Sequence, residues 1–120
     1  MTAPATPAST AGGAAVLVLT AQNIRFDKGA LAAPAGAITI RFENLDEGLP
    51  HNLHLFAGVD AYGADIAQTK ISVGPTTTTL SVSLAVGRYF YQCDVHPAMM
   101  NGLLTVTTGT SPTPGDTPLP

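Results

Sequence analysis

A chain of 120 residues has room for one domain, and eight acidic against five basic side chains leave a formal net charge of −3. With only 11% charged residues there is neither a basic surface for nucleic acid nor an acidic block for a basic partner, so nucleic-acid binding is excluded. No apolar run approaches the roughly 20 residues needed to span a bilayer, and Ala14 to Leu19 lacks the preceding basic residues of a signal peptide, so no membrane insertion by this chain is expected.

Residues 1–15 contain only Met, Thr, Ala, Pro, Ser and Gly. Such a segment cannot repay the entropy of folding and reads as a disordered linker. Short β-branched and aromatic stretches follow: Val16 to Ala21, Ala37 to Glu43, Asn52 to Ala57, Ile71 to Val73, Thr76 to Leu84, Arg88 to Cys93 and Leu103 to Thr107. Gly, Pro, Asn and Asp punctuate them. Within one of these, Thr77, Thr79, Ser81 and Ser83 alternate with Thr78, Leu80, Val82 and Leu84, the pattern of a half-buried antiparallel strand. Asp60 to Gln68 is too short and too interrupted by Gly63 for a stable helix, and reads as a loop with at most one helical turn. Residues 108–120 return to Thr, Pro, Gly and Ser and read as a second tail. The expectation is an all-β Greek-key β-sandwich of seven to eight strands over residues 16–107.

The chemistry concentrates in two segments. Leu49-Pro50-His51-Asn52-Leu53-His54 enters a strand from a polar loop, and Gln92-Cys93-Asp94-Val95-His96-Pro97-Ala98-Met99-Met100 leaves one. Together they hold the sole cysteine, all three histidines and two of the three methionines. A single cysteine forms no internal disulfide, so Cys93 is a buried small hydrophobe, a nucleophile or a metal ligand. A hydrolase using Cys93 and His96 would also need an orienting third group and an oxyanion hole, for which there is no separate motif. One thiolate, two imidazoles and a weak thioether are, by contrast, the donor set of a copper site that serves both Cu(I) and Cu(II).

These segments resemble the cupredoxins, or type 1 blue-copper proteins, of the plastocyanin and amicyanin group. The resemblance rests on Pro50-His51-Asn52, on Gly87 through Pro97 with its Gly-x-Tyr-x-x-x-Cys-x-x-His-Pro pattern, and on the following Met-x-Gly. It extends more weakly to Asn23 through Asp27, Pro34 to Gly36 and Phe42 through Asp46. It implies a single copper ion bound by His51, Cys93 and His96, with Met100 as axial ligand and Met99 as the alternative. It further implies that Asn52 bridges the two ligand segments and that Pro97 shapes the loop. His54, three residues beyond His51, points to the opposite strand face and is left out of the site.

The implied function is electron transfer, one copper cycling between +1 and +2, rather than catalysis. The alternatives are a copper delivery or storage module, or the electron-entry domain of a larger copper oxidase or reductase. Leu49, Pro50, Pro97, Ala98 and Met99 would ring the edge of His96 as an apolar patch for weak, transient docking of redox partner proteins. A monomer is expected. The resemblance and the linker-like tails together suggest an extracytoplasmic location, whether periplasmic, secreted or tethered to the outer face of a membrane.

Overall fold

The computed structural model describes residues 15–108; apart from Ala15 and Thr108, the two tails read from the sequence lie outside it. Among the described residues ten strands follow one another: β1 (Ala15–Ala21), β2 (Ala30–Pro34), β3 (Gly36–Asn44), β4 (Pro50–His51), β5 (His54–Ala57), β6 (Asp65–Gln68), β7 (Ser72–Val73), β8 (Thr76–Leu84), β9 (Gly87–Gln92) and β10 (Asn101–Thr107). They form a three-stranded sheet in the order β1-β3-β8 and a five-stranded sheet in the order β2-β10-β9-β5-β6. β4 and β7 pair separately as a short antiparallel ribbon. Among the described residues there is no helix, so none that could cross a membrane.

Strand alternation explains how the two larger sheets face each other. In β8, Leu80 and Leu84 are buried while Thr77, Thr79, Ser81 and Ser83 stand in solvent, as the period of two requires. Leu19, Ile38, Ile40, Phe42, Leu80 and Leu84 come from one sheet, and Leu31, Leu55, Tyr89, Tyr91, Leu104 and Val106 from the other, to make one core. Each such fully buried aliphatic side chain is worth about 1.5–3 kcal/mol relative to exposure. This core fixes the two sheets against each other and gives the loops at one end a rigid base.

Three features differ from the sequence reading. Asp65 to Gln68, read as loop or helical turn, is a strand, because its backbone pairs with β5 in a register that sets His54 opposite Gln68. Pairing overrides the weak local propensity of this segment. β2, alanine-rich and ending in Pro34, escaped the sequence reading; it lies at a sheet edge, parallel to β10, where a proline is tolerated. The stretch Asn52 to Ala57 is not continuous strand: Asn52 and Leu53 break the pairing between β4 and β5, so the chain passes there from ribbon to sheet. These additions raise the strand number from seven or eight to ten.

Of the described glycines that close approach demands, Gly74 and Gly102 lie next to the histidine and cysteine segments. A Cβ on Gly102 would lie 2.4 Å from Oη of Tyr91 and 2.7 Å from the carbonyl oxygen of Gly29. The Tyr91 hydroxyl donates to the Lys28 carbonyl at 2.8 Å, so the glycine after the ligand loop is the seat of this buried ring. A Cβ on Gly74 would meet the Asp46 carbonyl oxygen at 2.5 Å and Oδ1 of Asn44 at 2.7 Å, beside the first ligand segment.

Candidate metal centre

The first segment is held by side-chain to backbone bonds. Asn44, buried at the end of β3, donates through Nδ2 to the carbonyls of Leu49 and Ser72, both at 3.0 Å, and accepts from the Asp46 amide at 2.9 Å. The loop from β3 thus folds over the β4–β7 ribbon, where Pro50 pairs with Val73 and His51 with Ser72. His51 is buried there.

Asp46 fixes the ring. Its Oδ2 lies 2.7 Å from His51 Nε2, and since a carboxylate only accepts, Nε2 carries the proton and Nδ1 offers its lone pair. The same carboxylate accepts from the amides of Asn23 at 2.5 Å and Ile24 at 2.8 Å. Both of these residues have positive φ, 59° and 56°. Burial pushes the Asp46 carboxyl up, but the hydrogen bonds from His51 and from the amides of Ile24 and Asn23 outweigh it and hold the group below the usual carboxylate value.

The second segment leaves β9 at Cys93 and returns to β10 after a compact loop. The Cys93 amide donates to the Met100 carbonyl at 3.0 Å, closing the loop, and the amides of Met99 and Met100 both donate to the His96 carbonyl. That closure sets Met100 alongside Cys93 and turns it inward. Met100 has no exposed surface, whereas Met99 is 53% exposed.

The two segments converge. Cys93 Sγ is 3.7 Å from His51 Nδ1 and 4.0 Å from His96 Nδ1, and the donor atoms of the three residues lie within 4.8 Å of one another. An ion at about 2.0–2.1 Å from nitrogen and about 2.3 Å from sulfur, in a trigonal plane, separates nitrogen from sulfur by about 3.8 Å. The observed separations therefore fit a single ion held by these atoms. Cys93 and His51 are buried and His96 is partly exposed, so the site has one solvent-facing edge.

The residues named from the sequence are disposed as follows. Asn52 joins the segments: its Oδ1 accepts from the Asp94 amide at 2.7 Å and its Nδ2 donates to Asp94 Oδ2 at 3.0 Å. Leu49, Pro97, Ala98 and Met99 are exposed and Pro50 is half-buried. Exposed Leu45, Val73 and Val95 were not in the sequence reading of the apolar patch, although each neighbours one of the ligand segments in sequence or strand pairing. Asp46 was also missed as a functional residue, because an acid in a polar loop reads as solvated. Gln92 and Asp94 are half-buried, and Gln92 Nε2 donates to Asp94 Oδ1 at 2.9 Å.

A family model described as copper-binding proteins of the plastocyanin/azurin family matches residues 14–107. The chain belongs to that family. This cupredoxin is 32% identical over 111 residues to auracyanin-A of Chloroflexus aurantiacus, covering 71% of this chain and 68% of the relative. The solved structure of the blue copper protein auracyanin A from the same bacterium superposes with a TM-score of 0.71 at 24% identity, over 78% of this chain and 99% of that one. The reduced Cu(I) form of an amicyanin variant superposes with a TM-score of 0.59 at 27% identity, over 83% and 88% of the two chains. The cupredoxin is a copper-binding electron-transfer protein, and the cofactor is copper.

Proposed function

We propose that His51, Cys93, His96 and Met100 hold one copper ion and that this domain relays single electrons between redox partner proteins. The observation that carries this reading is the convergence of two imidazole nitrogens and one thiol within 4.8 Å, on two loops braced by a β-sandwich. Copper supplies the one-electron couple, since thiolate and imidazole donors with a weak thioether suit both of its oxidation states. The chain supplies rigidity. Asp46 holds the tautomer and direction of His51, and the Cys93–Met100 hydrogen bond holds the loop, so the donors need not move when the charge changes.

The burial of Met100 favours it over Met99 as the axial ligand. Four protein groups leave no open position for a substrate, so the domain carries electrons and is not an enzyme. Electrons would pass through the exposed edge of His96, and the surrounding Leu49, Pro97, Ala98 and Met99 form an apolar rim for brief docking by partners. An enclosed donor set also opposes a delivery role, which needs ligands open to exchange. On this reading the working unit is the domain of residues 16–107, monomeric and extracytoplasmic.

The test is addition of Cu(II) to the metal-free protein. A single equivalent is expected to produce an intense visible thiolate-to-copper band that reducing agents bleach reversibly. Cys93→Ser is expected to abolish the band while leaving the far-UV circular dichroism of a β-sandwich. A colourless complex of the unaltered protein would overturn the assignment.

A further inference from the structure

We propose that His54 is a positioning residue for the copper site, a strap whose imidazolium holds Asp94 in the pose that ties the His51 segment to the Cys93 segment. His54 lies outside the donor cluster, on the five-stranded sheet opposite Gln92. Its Nδ1 is 2.8 Å from Asp94 Oδ2 and 3.0 Å from Oδ1, and its Nε2 meets the carboxylate of Asp65. Carboxylates only accept, so a ring with one at each nitrogen donates from both and is a cation. The ring stacks on Phe56 with centroids 4.1 Å apart, which limits its rotation.

The load falls on Asp94. Besides His54, its carboxylate accepts from Gln92 Nε2 at 2.9 Å and Asn52 Nδ2 at 3.0 Å, and its amide donates to Asn52 Oδ1 at 2.7 Å. Asn52 directly follows His51 and Asp94 directly follows Cys93. The reciprocal Asn52–Asp94 pair is therefore a clasp between the two ligand-bearing segments, and it closes only while the Asp94 carboxylate keeps its direction. His54 supplies the charge-assisted bond that keeps it there, with Asp65 anchoring the far side of the ring.

This inference deepens the copper reading and rests on it, but part of its test needs no metal. In the metal-free protein, alkylation of the buried Cys93 thiol reports opening of the ligand loop. His54→Phe keeps the stacking on Phe56 and removes both bonds and the charge. It is expected to speed alkylation about tenfold, the factor produced by about 1.4 kcal/mol of lost loop stability. Tyr89→Phe serves as control, since it loses a 2.8 Å hydrogen bond to the Ala85 carbonyl at the opposite end of β9.

With copper bound, His54→Phe is expected to shift the Cu(II)/Cu(I) equilibrium against a fixed redox couple about threefold toward Cu(II), because a cation has gone from beside Asp94, the residue that follows Cys93. Faster alkylation than in the control together with this shift supports the proposal. Alkylation that changes only as much as in Tyr89→Phe overturns it, whatever copper does, and a shifted equilibrium without faster alkylation overturns it by leaving His54 a charge effect alone. If the Phe variant does not fold, Asp65→Ala carries the test. Asp65 has a 64% exposed side chain, and its removal frees the outer side of the ring. Faster alkylation there supports the strap and an unchanged rate overturns it.

Discussion

Asp46 Oδ2 accepts from His51 Nε2 at 2.7 Å with both side chains buried, so the ring that faces the Cys93 thiol is aimed by a carboxylate five residues earlier in the chain. Asp46→Ala leaves Nε2–H buried and unpartnered. Its cost to the metal-free protein is expected to be about 1–3 kcal/mol, read from denaturant unfolding. Copper affinity is expected to fall about 10- to 100-fold, as for other groups that orient a metal-bound histidine. Asp46→Asn, which can still accept at this position, should recover most of the affinity in a competition titration.

Burial separates the two candidate axial sulfurs. Met100→Gln is expected to change both the visible spectrum and the reduction potential, because its side chain is enclosed with Cys93 in the core. Met99→Gln should leave both nearly unaltered, since its side chain lies largely in solvent. Absorption spectra and potentiometric titrations of the two variants check this directly.

Stability should depend on pH at both ends. Burial pulls the His54 pKa down, but hydrogen bonds and charges of Asp65 and Asp94 raise it above the ordinary 6.5. Its contribution is therefore complete below pH 6.5 and is lost as pH rises through the folded-state value. Burial pushes Asp94 up, but hydrogen bonds from Gln92, Asn52 and His54 hold it below 3.8, so its contribution is present above pH 3.8 and lost as pH falls through the folded-state value. Melting of the metal-free protein between about pH 3 and about pH 9 is expected to trace a dome, and His54→Gln should flatten its alkaline limb.

Gly102→Ala tests the packing beneath the ligand loop. The added methyl group would sit 2.4 Å from Tyr91 Oη, and moving that ring would break its bond to the Lys28 carbonyl. An overpacking cost of about 1–3 kcal/mol is expected. For a domain of this size it should appear as a fall in Tm of several degrees per kcal/mol, roughly 4–8 °C.

The parts of the molecule legible in sequence were those where one residue type carries its own signal. The alternation of Thr and Ser with Leu and Val in β8 declared both the strand and its buried face, and Cys93, His96 and the two methionines stand together in a short loop. That loop and Pro50-His51-Asn52 pointed to one site because few chemistries need all those donors. Residues whose roles come only from tertiary contact stayed hidden. Asp46 and Asp94 look like ordinary loop acids until the fold sets His51 and His54 against them. Asp65 to Gln68 becomes a strand only because β5 offers it an edge, and the alanines of β2 reveal nothing of their pairing with β10.

The turn at Asn23 and Ile24 bears on the copper site although it lies far from it in sequence. Keeping a β-branched residue such as Ile24 at a φ of 56° costs about 1–3 kcal/mol, and the amides of both residues are restrained by the carboxylate that steers His51. Relaxation of that turn and rotation of the His51 ring are thus mechanically linked through a single pair of oxygens. Conformational slack near the amino-terminal side of the domain would be transmitted to His51 as a change in how firmly its Nδ1 is presented to Cys93.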